Sequence, residues 1–248
     1  VSDEAPVGTG AHPLAGRTAL VTGASRGIGR ATAVALAAAG ATVVCVARSA
    51  AALDEAAAAA GPRAIAVVGD IADAGDVARL AATVRERLGH APDILVNNAG
   101  LFRIAPVHEL DTDDFAAMVQ VNLVAPFRLV REFLGELRAR GAGHVVTIGS
   151  IADRQVFPDN VGYAASKHGA RAMHEVLRAE LQGTGVRATL VSPGPVDTPL
   201  WDPVDPDNRE GFPPRAAMLR AEDVADAVAW AVTRPGHVNV DELRLGRA

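Results

Sequence analysis

From residue 18 onward, short apolar runs alternate with amphipathic stretches. Thr18–Thr22 (TALVT) is apolar at successive positions and too short for a helix, so it predicts a strand buried on both faces. The same pattern recurs at Thr42–Ala47 and at 64–69, 93–96, 144–148, 186–191 and 238–245. Between these runs lie segments with helical periodicity, at 30–39, 49–60, 73–88, 111–140, 161–182 and 222–233. Gly40, Gly183 and Gly185 stop two of them, Asp73 is placed to cap a third, and Pro126 should kink or divide the longest. Acidic residues at 113 and 114 suit the start of that long helix, where the dipole is positive. Strand and helix alternating throughout predict an α/β fold: a parallel sheet covered by helices on both faces.

No internal repeat or linker divides the chain, so 16–248 reads as one domain. Residues 1–15, with Gly, Pro and acidic residues, read as a flexible tail without the order of a signal peptide. The stretch 201–214 is rich in Pro and Asp and reads as a mobile lid, within a substrate loop at about 194–217.

Composition sharpens this picture in a few places. Aromatic residues are only 4% of 248, while 49% of the chain is apolar. The core must therefore be built from Ala, Val, Leu and Ile. The net charge of −5 is spread without a basic block, which argues against nucleic-acid binding. No apolar run approaches the ~20 residues of a membrane span. The lone Cys45 cannot form an internal disulfide, which fits a reducing compartment, and a cytoplasmic location is expected.

Two places carry chemistry. Gly23, Gly27 and Gly29 lie between the first strand and the first helix, where glycines let backbone approach a pyrophosphate at a helix N-terminus. At the end of the second strand stand Arg48 and Ser49, with no carboxylate to read a ribose hydroxyl. With Arg26 in the glycine turn, they favour the 2′-phosphate of NADP(H) over NAD(H). The second place is Tyr163-Ala164-Ala165-Ser166-Lys167, which holds the only tyrosine and the only lysine of the chain. At i and i+4 the two share a helix face, with Cβ atoms about 5–6 Å apart. A neighbouring ammonium favours phenolate, so Lys167 is expected to lower the Tyr163 pKa and fit it for proton transfer. Arg serves wherever else this chain needs a cation, so the single Lys points to a compact point charge.

With these motifs in place, the chain resembles the short-chain dehydrogenase/reductase family from about Arg17 to Ala248. The motifs are Thr22-Gly23-Ala24-Ser25-Arg26-Gly27-Ile28-Gly29, Asp70-Ile71, Asn97-Asn98-Ala99-Gly100, Asn122, Ser150, Tyr163-x-x-x-Lys167, Pro193-Gly194 and Thr198. The resemblance implies a doubly wound Rossmann fold with strand order 3-2-1-4-5-6-7. It implies Tyr163 as acid/base and Lys167 as the tuning charge that also binds the nicotinamide ribose. Ser150 would bond the substrate oxygen, and Asn122 would hold a water in a proton relay from Lys167. Asp70 and Ile71 would flank the adenine, and Asn98, Ala99 and Gly100 would floor the cofactor. Pro193, Gly194, Val196 and Thr198 would meet the nicotinamide. The implied activity is NADP(H)-dependent carbonyl reduction or alcohol oxidation on a small molecule, in a homotetramer or homodimer joined through 111–140 and 161–182. The ending at 238–246 is closer to the subgroup resembling serine dehydrogenase and clavulanic acid dehydrogenase. An NADP-binding regulator, or an epimerase or dehydratase on the same fold, is the alternative.

Other signals are weaker. Ser150 lacks the flanking glycine of a nucleophile elbow, because Ala152 stands there. His168 and His174 lack the i, i+4 spacing of a helical zinc pair, so no metal site is expected. Arg103 and Arg154 could face the substrate and favour a carboxylate, but read rather as solvated loop charges. Phe102, Phe157 and Trp201 could wall an apolar pocket or serve as separate packing anchors.

Overall fold

A computed structural model describes residues 12–248. Seven parallel strands form one sheet in the order β3-β2-β1-β4-β5-β6-β7, as the family resemblance implies. They are β1 (Thr18–Thr22), β2 (Thr42–Ala47), β3 (Ala64–Val68), β4 (Ile94–Asn97), β5 (Gly143–Ile148), β6 (Val186–Pro193) and β7 (Glu242–Leu245). The helices are α1 (Gly27–Ala38), α2 (Ala50–Ala60), α3 (Ala74–Leu88), α4 (Thr112–Val119), α5 (Ala125–Arg140), α6 (Val161–Glu180) and α7 (Ala221–Val232).

Side chains alternate across each strand, so one apolar run feeds two cores. Ala19, Val21, Val43, Cys45, Val96 and Val146 face one side, where α1, α2 and α7 supply Leu36, Leu53 and Val228. Leu20, Val44, Val46, Leu95 and Val145 face the other, where Val84, Phe133 and Leu177 come from α3, α5 and α6. Burial of Cys45 pushes its thiol up to about 11, so it packs as a small hydrophobe. Strand order reverses at β1, which pairs with β2 on one side and β4 on the other, and this opens a crevice at the carboxyl ends of the strands.

Two expectations change. Residues 12–15 were assigned to a flexible tail, but Leu14 is only 3% exposed and belongs to the first core. Its N–H donates to the Ala39 carbonyl at 2.8 Å, so it closes the end of α1. Residues 1–11 of that tail lie outside the described residues. The long helix at 111–140 is divided as expected, but through a π-helical turn at Gln120–Val124. Pro126 follows in the first turn of α5. Having no N–H, it cannot bond back to the Asn122 carbonyl, which thereby loses the partner a regular helix would give it.

Candidate active site

A cleft of about 1370 Å³ runs along the carboxyl ends of the strands. It is lined by Gly23, Ser25, Arg26, Gly27, Ile28, Arg48, Ser49, Asp70 and Ile71 at one end and by Ser150, Tyr163 and Lys167 towards the other. Asn98, Ala99, Gly100, Pro193, Gly194, Val196 and Thr198 lie between. Of the expected site residues, only Gly29 and Asn122 stand behind the wall.

Gly29 is there because the turn is packed too tightly for a side chain. A Cβ at this position would stand on the Gly23 carbonyl and the Asn98 amide. Asn98 Nδ2 donates to the Thr22 carbonyl at 2.8 Å, while Thr22 Oγ1 accepts from the N–H groups of Asn98 and Ala99 at 3.0 and 3.1 Å. Thr22 is thus a tie between the glycine turn and the β4 loop, a role its place in a strand pattern did not reveal. Thr198 reaches across from the end of β6, and a Cβ on Gly27 would meet its Cγ2 at 3.1 Å. Ser49 precedes α2 without capping it, so its hydroxyl remains available. Arg26 and Arg48 are exposed on the cleft, and among the described residues neither has an acidic partner.

At the other end α6 places Tyr163 and Lys167 on one face. Lys167 is 5% exposed, and its Nζ donates to the Ile148 carbonyl at 2.9 Å, 5.6 Å from the centre of the Tyr163 ring. Burial pulls its pKa down to about 8, against the opposing charge of Asp153. Burial pushes Tyr163 up to about 12, opposed by a hydrogen bond with Ser150 and reinforced by Asp153. The expected lowering of the phenol by Lys167 is not seen; burial sets the direction, and the group that lowers it is Ser150. Both groups are desolvated, and the ammonium is directed at a carbonyl. At neutral pH the phenol stays protonated and can act as a donor.

Asp153 is the residue the sequence reading missed. Its side chain is fully buried. Oδ2 accepts from the Ser150 N–H at 3.3 Å and from the Ser192 hydroxyl, and Oδ1 accepts from Arg154 Nε at 2.9 Å. Arg154 in turn pairs with Glu242 of β7, so it is a partly buried clamp and not a free loop charge. Gly149 makes room for this, because a Cβ there would lie 2.6 Å from both Asp153 Oδ2 and Ser192 Oγ. The visible signal was Ser150-x-x-Asp153, a capping-box spacing, and the capping box is present. It fixes the short turn that presents Ser150.

Asn122 is 3% exposed. Its Nδ2 donates to the Leu101 carbonyl and to Ser166 Oγ, each at 2.9 Å, and its Oδ1 accepts from the Leu101 N–H at 2.8 Å. Ser166 Oγ donates to the Tyr163 carbonyl at 2.8 Å, so Asn122 braces the Tyr163 turn of α6.

The short chain dehydrogenase family profile matches residues 17–209, and the chain belongs to that family. It is 33% identical over 229 residues to an uncharacterized oxidoreductase of Staphylococcus epidermidis, covering 92% of this chain and 96% of the relative. A sepiapterin reductase of Chlorobaculum tepidum is 34% identical, covering 91% and 94% of the two chains. Among solved structures, an alcohol dehydrogenase of Thermococcus sibiricus complexed with 5-hydroxy-NADP superimposes with a TM-score of 0.80. It is 31% identical, with 92% of this chain and 95% of that one covered. The chain is therefore an oxidoreductase of this family.

Proposed function

We propose that this protein is an NADP(H)-dependent carbonyl reductase, able to run in reverse as an alcohol dehydrogenase, with Tyr163 as its acid/base. The observation that carries the reading is the meeting of Tyr163, Ser150 and Lys167 in one cleft with a glycine turn that no side chain could fill. The donor set suits a dinucleotide. Gly23, Ser25, Gly27, Ile28 and Gly29 would take the pyrophosphate. Arg48, Ser49 and Arg26 would take a 2′-phosphate, Asp70 and Ile71 the adenine, and Lys167 with Tyr163 the second ribose. Asn98, Ala99, Gly100, Pro193, Gly194, Val196 and Thr198 would hold the nicotinamide half. NADP is also the cofactor type named for the solved alcohol dehydrogenase relative.

When bound, the reduced nicotinamide supplies a hydride to the carbonyl carbon. Ser150 Oγ and Tyr163 Oη donate hydrogen bonds to the oxygen on which charge develops. Tyr163 then gives up its proton, leaving alcohol and phenolate. Lys167, charged below about pH 8, stabilises that phenolate and can reprotonate it. The Asn122 carbonyl, to which Pro126 cannot donate, would hold a water that restores the proton to Lys167.

A homotetramer or homodimer would use the faces of α4, α5 and α6 that expose Phe115, Phe127 and Val176. The ending resembling serine and clavulanic acid dehydrogenases, and a cytoplasmic location, complete the reading. Tyr163→Phe tests it: carbonyl reduction should fall by about 10²–10⁴-fold while NADPH binding persists. Retained turnover would reject Tyr163 as the acid.

A further inference from the structure

The chain has six Phe, two Trp and one Tyr, and five of these nine line the cleft. Four of them form a continuous series. Phe102 lies edge-to-face on the Tyr163 ring with centroids 4.8 Å apart. Trp201 meets Phe102 at 5.1 Å, and Phe212 meets Trp201 at 6.0 Å, both edge-to-face. Phe157, also on the cleft wall, is 43% exposed. A chain this poor in aromatics builds its main core from aliphatic residues and spends rings at the entrance to its reacting hydroxyl. Such rings offer large, rigid apolar area at low entropic cost.

The charges nearby are already engaged. Arg103 donates to the Phe102 carbonyl at 3.1 Å and lies 3.9 Å from Asp114. Asp202 is held by Arg215 at 2.7 Å. Arg154 is locked between Asp153 and Glu242. Asp159, also on the cleft wall, has no cationic partner among the described residues and would repel an anion. A substrate carboxylate would therefore find only Lys167 as a counter-charge at this end of the cleft, and that ammonium is buried and directed at the Ile148 carbonyl.

We propose that the substrate class is an uncharged ketone carrying an aryl or fused-ring group, the ring lying against Phe102 and Trp201 and the carbonyl at Tyr163. This rests on the reductase reading of the same site. The test compares acetophenone and 1-tetralone with butanone and pyruvate, all with NADPH. The aryl ketones should exceed both small carbonyls in kcat/KM by about tenfold or more. Trp201→Ala should lower the ratio of aryl to aliphatic kcat/KM by about fivefold or more, chiefly through KM.

A binding readout separates this class from the chemistry. In a Tyr163→Phe, Trp230→Phe background loaded with NADPH, Trp201 is the sole tryptophan. Acetophenone should quench its fluorescence saturably, and pyruvate should not. Butanone or pyruvate reduced as well as the aryl ketones, or a ratio unmoved by Trp201→Ala, would overturn the aryl class and leave the reductase standing. Saturable quenching by pyruvate would do the same. No turnover of any carbonyl would overturn both.

Discussion

Replacing Lys167 by Met separates a residue kept for packing from one kept for charge. The fall of its pKa from 10.5 to about 8 means that burial disfavours the ammonium by about 3 kcal/mol relative to an exposed lysine. The sign follows from linkage. The folded pKa lies below the unfolded one, so between pH 8 and 10.5 the unfolded chain binds more protons and wild-type stability rises with pH. Below pH 8 the cost is present in full, and above 10.5 it is gone. Met is close in volume and carries no charge, so it escapes that cost at every pH. It also loses the bond from Nζ to the Ile148 carbonyl, at 2.9 Å, which offsets about 1–3 kcal/mol. At pH 7 the variant should therefore be as stable as wild type or more stable by up to about 2 kcal/mol.

The cleaner measure is the change with pH. Urea unfolding followed by circular dichroism at pH 7, 8.5 and 10.5 should show the wild type gaining about 3 kcal/mol on the variant across that range. Turnover should be down by about 10²-fold or more at each pH. A stability gap that does not move with pH would refute the buried ammonium. An active Lys167→Met would refute its role in proton transfer. In the wild type, reduction should decline above about pH 8 as the ammonium is lost.

Three further outcomes follow from the same geometry. Arg48→Asp should move preference from NADPH towards NADH, by about tenfold or more in the ratio of kcat/KM; an unchanged ratio means the phosphate is read elsewhere. Asp153→Asn puts an amide donor where a buried carboxylate accepts from the Ser150 N–H, the Ser192 hydroxyl and Arg154 Nε, and should cost about 1–3 kcal/mol in urea unfolding. Asp153 also raises the Tyr163 pKa, so any folded variant should titrate its phenol at lower pH by ultraviolet difference absorbance, and an unmoved titration would remove Asp153 from the site's electrostatics. Burial holds His174 down at about 4 from 6.5, so about 3 kcal/mol of stability present above pH 6.5 should be lost as pH falls to 4; His174→Gln should flatten that acid limb.

Two-sided burial made the strands legible, because it forces unbroken apolar runs. The end of the chain was less so. A strand was expected from 238, but β7 begins at Glu242. The reason is Asn239, whose side-chain amide accepts from the Ala188 N–H at 2.9 Å and donates to its carbonyl at 3.1 Å. A side chain doing a backbone's pairing is invisible to a periodicity argument. β6 runs on to Pro193 because β7 pairs with it as far as Leu245. In the site, i, i+4 spacing put Tyr163 and Lys167 on one face and the family resemblance added Ser150; all three line the cleft. The state of the phenol was not legible, since burial sets it.

The substrate loop extends this point. Its Pro and Asp content suggested mobility, yet one cation gathers those same acids. Arg215 reaches Asp197 and Asp202 at 2.7 Å each, Asp207 at 3.9 Å and the Thr198 carbonyl at 3.2 Å. Its own N–H also donates to Asp207 Oδ1 at 2.8 Å. Asp202 directly follows Trp201, so this clip holds Trp201 against Phe102 and sets the shape of the aromatic wall. Exposed ion pairs are weak and screened by salt. Arg215 thus gives the loop one defined arrangement held by individually weak contacts; under the aryl-ketone proposal, that would let it shift to admit a ring.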